Sequence, residues 1–288
     1  VKITVIILAA GQGTRMRSKL PKVLQSLAGR PLLAHVLDTA EALKPEQIVV
    51  VYGYGGEQVR EYFADRELNW VEQAQQLGTG HAVQQAMPRV DANHTVIIMS
   101  GDVPLVRLET VRNLASAAGD QNLTLLTVDA ENAAGYGRIV RGETGEVLSI
   151  VEERDATVDQ RKIKEINTGL LACPARLLGP WLDALKEKNV QGEYYLTDVV
   201  SSAVAAGVGV NVVSAKSETE VMGINDKLQL AQAERACQAR IADELMLNGV
   251  TLADPQRIDV RGQLKCDSDV FIDANVWFEG TVKLGRGV

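Results

Sequence analysis

Four continuous apolar runs of strand length, residues 3–8, 48–52, 95–99 and 123–128, constrain this chain more than any other feature. They do not alternate apolar with polar residues, so each must be buried on both faces, as in a sheet covered by helices on both sides. Amphipathic stretches at 32–43, 56–64 and 108–118 lie between successive runs. Strand and helix in alternation predict an α/β fold with a Rossmann-like, mostly parallel sheet. Residues 1–8 run straight into the first strand without the pattern of a cleaved leader. Ligands of such sheets bind beyond the carboxyl ends of the strands, so the residues after each strand are where chemistry is sought.

The pattern changes after residue 224. One long helix is predicted over 225–248, with Asn225 or Asp226 as its cap and Gly249 as its stop. Beyond it, Val260, Cys266, Ile272, Phe278 and Leu284 recur every six residues, and Leu264, Val270, Val276, Val282 and Val288 follow each by four. This is the hexapeptide repeat of a parallel β-helix, in which each hexad forms one flat side of a triangular coil. Three hexads make a coil, and a solenoid needs several coils and a cap. The chain is therefore expected to be a fragment of a longer protein, cut shortly after the β-helix begins. A small β-meander finishing the domain is the alternative. The expected divisions are 1–226, 227–249 and 250–288.

Hydrophobic residues make up 46% of the 288 and charged residues 23%, enough for a sizeable core and too few charges for disorder. The net charge of −7 argues against a nucleic-acid binder, yet a few local cations can still hold a small anionic substrate. Cys173, Cys237 and Cys266 lack metal or disulfide spacing, and His35, His81 and His94 are scattered too, which predicts a reducing compartment and no zinc. No apolar run approaches the roughly 18 residues of a membrane span, so a cytoplasmic protein is expected.

The first strand ends in Leu8-Ala9-Ala10-Gly11-Gln12-Gly13-Thr14-Arg15-Met16, followed by Leu20-Pro21-Lys22. Small residues and two glycines after a strand let backbone N–H groups surround a phosphate. The run is not a Walker loop, and Met16 stands where the dinucleotide fingerprint needs its third glycine. What remains is a glycine loop with its own cations, Arg15 for bidentate contact and Lys22 as a point charge. Asp102, in Ser100-Gly101-Asp102, directly follows a buried strand, where a carboxylate suits Mg²⁺ but also a turn or cap. Gln73 and the turn 76–80 offer an amide and glycine backbone, fit either to read a pyrimidine edge or to serve as a polar loop.

Residues 8–16 with Pro21-Lys22 resemble the signature of the sugar-1-phosphate nucleotidyltransferases. In closer detail the chain is similar to the bifunctional bacterial N-acetylglucosamine-1-phosphate uridylyltransferases/glucosamine-1-phosphate acetyltransferases, over nearly all its length. That resemblance implies transfer of UMP from UTP to N-acetylglucosamine 1-phosphate with Mg²⁺, giving UDP-N-acetylglucosamine and pyrophosphate. It implies a uridylyltransferase domain (1–226), a linking helix (227–249) and a truncated left-handed parallel β-helix (250–288), through which full-length relatives trimerise. The acetyltransferase half would be largely missing.

By the same resemblance Leu8, Ala9, Ala10 and Gly11 bind the nucleotide, with Gln73, Gly78 and Thr79 on uracil. Arg15 and Lys22 act on the triphosphate, and Asp102 and Asn225 hold the metal. Ser100, Gly101, Gly137, Glu152, Asn167, Glu193, Tyr195 and Thr197 contact or surround the aminosugar. Taken singly, each also reads as a turn or cap; their order and spacing favour a site. Competing readings are an enzyme of the same fold with another pair, such as glucose 1-phosphate with UTP or dTTP, a non-catalytic nucleotide-sugar sensor, and a nicotinamide oxidoreductase.

Overall fold

The computed structural model describes residues 2–288, so Val1, part of the predicted lead into the first strand, lies outside the described residues. In chain order, β1 (Ile3–Ala9) is followed by a short hairpin, β2 (Ser26–Leu27) and β3 (Arg30–Pro31), then α1 (Leu32–Glu41) and β4 (Gln47–Tyr52). Next come α2 (Gly56–Tyr62), β5 (Asn69–Glu72), α3 (Thr79–Ala86), β6 (Thr95–Ser100), α4 (Leu108–Ala118) and β7 (Leu123–Asp129). All four apolar runs are strands and all three amphipathic stretches are helices. The sheet is completed by β8 (Arg138–Arg141), β9 (Val147–Val151), β10 (Glu165–Pro174) and, after α5 (Ala175–Asp183) and α6 (Asp198–Ala205), β11 (Val210–Ser214).

The sheet runs β11-β7-β10-β6-β1-β4-β5, with β8 paired to β10 and β9 to β8. Val5 and Ile7 of β1 pack into one core with α1, α2 and α4, while Ile6 packs into another with α3, α5 and α6. Both faces of the strand are thus apolar, which is why its sequence does not alternate. Pairs β1/β4, β1/β6, β4/β5 and β7/β11 are parallel, but β10 lies antiparallel between β6 and β7. The β8–β9 excursion reverses the chain before β10 enters, so β9 and β10 alone run against the rest. The register of β10 shifts between Asn167 and Leu171, a bulge that re-aims side chains at the strand's middle. From β1 the chain first builds outward through β4 and β5, then returns to add β6 on the other side. The crevice at the carboxyl end of β1 is therefore the topological switch point.

The long helix, α7 (Lys227–Leu247), begins later than the sequence predicts because Asp226 is its cap: its Oδ1 accepts from Gln229 N–H at 2.8 Å. Asn225 stands outside the helix. Four strands follow, β12 (Thr251–Leu252), β13 (Ile258–Cys266), β14 (Phe271–Ile272) and β15 (Val276–Leu284). In β13 and β15 every residue pairs in parallel with one eighteen further along, which is three hexads. The hexad residues Val260, Val270 and Ile272 bury against Ala242 and Leu245 of α7. Gln238 of α7 bonds Val260 at both ends of its amide, donating to the carbonyl at 2.9 Å and accepting from the N–H at 2.8 Å. Among the described residues no helix is long and apolar enough to cross a membrane.

Candidate active site

The loop leaving β1 turns at Gly13, whose φ of 61° is left-handed. A side chain there would place its Cβ 2.7 Å from Lys22 Cβ, so the glycine lets the Lys22 stem lie directly against the loop. At its far end Lys22 Nζ donates to Asp102 Oδ2 at 2.5 Å and to Asn225 Oδ1 at 3.1 Å. Both ends of the ion pair are largely shielded, with side-chain exposures of 13% and 19%. Asp102 is placed by β6, whose end is tied to β1 through Gly101 N–H donating to Leu8 O at 2.9 Å. The Asp102 carbonyl accepts from Ile224 N–H at 2.9 Å, which joins the 223–225 segment to the sheet's edge.

Two cavities open over this edge. One, of about 310 Å³, is lined by Leu8, Ala9, Ala10, Gly11, Lys22, Gln73, Gly78, Thr79, Ser100, Asp102 and Glu193, together with Gln12 and Gln76. The other, of about 200 Å³, is lined by Gly137, Glu152, Asn167 and Thr197, with Tyr136 and the β10 bulge at Gly169. Leu8, Thr79 and Ser100 belong to both walls, so the two spaces adjoin. The predicted nucleotide residues thus gather in the first cavity and most predicted sugar residues in the second. Ser100 lines both, and Glu193 lines the first alone.

Local contacts explain several of these positions. Gln73 Nε2 donates to Gly78 O at 3.0 Å, holding the 78–81 turn and leaving its own Oε1 as an acceptor. Gly78 has φ 108° and ψ 173°, and an added Cβ would meet Tyr194 O at 2.6 Å; only glycine lets these loops touch. Thr79 Oγ1 accepts from Leu196 N–H at 3.2 Å. In the second cavity Thr197 donates to Glu152 Oε1 at 3.0 Å, and Glu152 Oε2 lies 3.4 Å from where a Gly137 Cβ would stand. Asn167 is pinned by its N–H donating to Gly137 O at 2.9 Å and its Oδ1 accepting from Gly169 N–H at 3.2 Å. Burial pushes the Glu152 carboxyl above the ordinary range, the Thr197 bond opposing and Asp155, Asp198 and Glu193 adding to the rise. Burial likewise raises the Asp198 carboxyl and the Tyr136 phenol.

Four predicted residues stand outside the cavity walls. Arg15 is exposed on a single 3-10 turn (Thr14–Met16). Gly101 is packed beneath Leu8, and Asn225 reaches the site through Lys22. Tyr195 is buried under the 189–193 loop, its hydroxyl donating to Asp155 at 3.2 Å and accepting from Gln191 at 2.9 Å. It supports that loop from behind. Conversely, Gln12, Gln76 and Tyr136 line the cavities although the sequence motifs that contain them give these three no site role of their own. Tyr136 sits between the two glycines of Gly135-Tyr136-Gly137, a signal that an exposed backbone turn presents it.

The Asp102 and Asn225 oxygens fit a small divalent cation: both are hard donors, and the Lys22 ammonium already occupies the place between them as a cation would. No group of three or more His, Cys, Asp or Glu side chains with metal geometry occurs among the described residues. The protein would thus supply two donors and leave the rest to substrate and water.

A mostly parallel sheet with a glycine loop, local cations and twin cavities at its switch point defines a nucleotide-handling transferase fold. The sequence matches the MobA-like NTP transferase domain over residues 5–194, and the chain belongs to that family. It is 54% identical over 284 residues to the bifunctional protein GlmU of Azoarcus sp. (strain BH72), covering 99% of this chain and 63% of that protein. The GlmU of Nitrosomonas europaea is also 54% identical, over 286 residues, 99% of this chain and 62% of that one. The chain therefore spans a little over three fifths of these relatives' length. Among solved structures, a nucleotidyl transferase from Methanothermobacter thermautotroptrophicus has a TM-score of 0.58 at 18% identity, over 81% of this chain and 96% of its own. UDP-glucose pyrophosphorylase complexed with UDP-glucose scores 0.67 at 16% identity, over 83% of this chain and all of its own. At such identities these two bear on the fold alone.

Proposed function

We propose that this chain transfers the uridylyl group of UTP to N-acetylglucosamine 1-phosphate, releasing pyrophosphate, with Mg²⁺ as cofactor. The observation that carries the proposal is the pair of adjoining cavities, one backed by the glycine loop and Lys22, the other by Glu152 and Asn167. Two substrates can lie side by side with their phosphates meeting at the shared wall. The identity with the GlmU relatives supports the same reading.

The reaction needs little covalent help from the protein. A sugar-phosphate oxygen, already anionic at neutral pH, attacks the α-phosphorus in line; the bond to the β-phosphate breaks and its electron pair leaves with pyrophosphate. Positioning and electrostatics carry such a transfer. Backbone N–H groups of the 10–13 loop donate to phosphate oxygens, and Arg15 and Lys22 offset the charge of the triphosphate. Gln73 Oε1 accepts from the imide N–H of uracil, and Glu152 accepts sugar hydroxyls. When bound at Asp102 and Asn225, Mg²⁺ supplies neutralisation of phosphate charge.

The test is pyrophosphate release with UTP, CTP, dTTP and ATP offered against N-acetylglucosamine 1-phosphate and glucose 1-phosphate, with and without EDTA. Metal-dependent preference for UTP with N-acetylglucosamine 1-phosphate is expected. Turnover only with another pair corrects the substrates; no release with any pair removes the catalytic reading in favour of a nucleotide-sugar sensor.

A further inference from the structure

We propose that Lys22 is a built-in stand-in for the metal: without ligands its ammonium fills the seat between Asp102 and Asn225, and a triphosphate on the glycine loop draws it out so that a divalent cation can enter. The inference rests on the metal assignment made above.

The seat is assembled independently of Lys22. Ile224 N–H donates to Asp102 O at 2.9 Å, fixing the spacing of the two donors. Asp226 takes the helix cap, so the Asn225 side chain is not consumed there. Apart from Lys22, Asn225 is held at two points, its N–H on Gln229 Oε1 at 2.7 Å and its Nδ2 on Gly223 O at 3.2 Å. Both oxygens that a metal would use are therefore set, and both are taken by one ammonium.

Lys22 is also placed to leave. Its Cβ, Cγ and Cδ lie against Gly13, 2.7, 3.4 and 3.5 Å from where a Cβ would be, so its stem runs along the phosphate loop itself. Rotation of the outer bonds carries Nζ from Asp102 to a phosphate on that loop without moving backbone. A triphosphate bears several negative charges against the single one of Asp102, and a point charge on a flexible stem follows the stronger field. A divalent cation arriving alone must instead evict the ammonium from a shielded carboxylate. Metal and nucleotide binding are thereby coupled, and by linkage each must strengthen the other equally.

The experiment titrates Mn²⁺, read from the electron paramagnetic resonance signal of the free ion, into the wild-type chain and Lys22→Met. It is run with and without α,β-methylene UTP and corrected for Mn²⁺ held by the analogue itself. Wild type is expected to bind Mn²⁺ weakly alone and about tenfold or more tightly with the analogue. Lys22→Met is expected to bind Mn²⁺ alone about tenfold more tightly than wild type, and its gain on adding the analogue to shrink by the same factor, leaving only what the phosphates contribute as ligands. Asp102→Asn should abolish binding in either background. Equal Mn²⁺ affinity of wild type and Lys22→Met, each without nucleotide, overturns the stand-in role while leaving the metal site intact. No Mn²⁺ binding by any variant, even with the analogue, overturns the metal assignment and the stand-in role together. Lys22→Gln carries the same expectation if the Met variant fails to reproduce the wild-type near-UV circular dichroism.

Discussion

Gly78→Ala tests how the first cavity, proposed to take the nucleotide, is built. The backbone at Gly78, with φ 108° and ψ 173°, lies in a region essentially reserved for glycine, where another residue costs about 1–3 kcal/mol. The new Cβ would also stand 2.6 Å from Tyr194 O and 2.9 Å from Glu193 Cβ, the first a backbone atom that cannot rotate away. The half-exposed 193–194 segment must therefore move. That movement breaks the bonds from Tyr194 N–H to Leu77 O and from Gly80 N–H to Tyr194 O, both 2.8 Å. At about 1 kcal/mol for each bond, the loss with strain comes to about 3–5 kcal/mol, a large part of an ordinary domain's 5–15 kcal/mol. Urea unfolding should show a lower midpoint at unchanged slope. Because Gly78 and Glu193 both line the cavity, KM for the nucleotide should rise about tenfold, equivalent to about 1.4 kcal/mol. Gly11→Ala is the control. It meets nothing within 4 Å, so stability should hold within about 0.5 kcal/mol while turnover falls because the added methyl takes space proposed for the phosphates. A Gly78→Ala variant with the wild-type midpoint would refute the reasoning.

Arg15 is exposed and makes no ion pair or side-chain hydrogen bond among the described residues, so Arg15→Ala should lower kcat about a hundredfold with an unchanged melting temperature; full turnover would remove it from the mechanism. Glu152 has a folded pKa above its ordinary 4.5, so the native state holds more protons and stability falls as pH rises from that value to the raised one. Glu152→Gln should flatten this part of the stability–pH profile, and an unchanged slope would show that Glu152 does not cause it. Gln238→Leu leaves the Val260 N–H and carbonyl without the partners they have at 2.8 and 2.9 Å, which should cost about 2–4 kcal/mol and expose the α7–β13 seam to hydrogen exchange before the sheet opens.

What was legible in the sequence was whatever a local period encodes. The strands β1, β4, β6 and β7 showed themselves because each is buried on both faces, and the β13–β15 register because eighteen residues is three whole hexads. The direction of β10 was not legible: its residues Ile166 to Cys173 would suit a parallel strand equally, and only the β8–β9 excursion decides which way it enters. Adjacent candidates for one role were also beyond sequence. Asn225 and Asp226 are both good caps, and only the bond from Gln229 N–H to Asp226 shows which is spent on the helix. Most of the residues that the resemblance implies for the site stand in the walls of the two cavities. Motif order could not tell that Tyr195 faces Asp155 and Gln191, because both are close in sequence to segments that do line the cavity.

The two cavities differ in where cations stand, and that difference bears on how an acidic chain can join two anions. The first holds the Lys22–Asp102 pair and Glu193, with Arg15 on the loop beside it, whereas the second holds Glu152, whose carboxyl is raised by burial first and by Asp155, Asp198 and Glu193 in addition. Carboxylates accept hydroxyls and repel phosphate. In the proposed reaction a sugar 1-phosphate in the second cavity therefore has one favourable orientation, hydroxyls toward Glu152 and phosphate toward the shared wall and Lys22. The net charge of −7 is no obstacle, because screening confines the field that matters to within about 10 Å of the reacting phosphorus. Acidic groups at the sugar end and cations at the phosphate end orient the acceptor together: the first repels the nucleophilic phosphate from the wrong end, and the second holds it against the α-phosphorus.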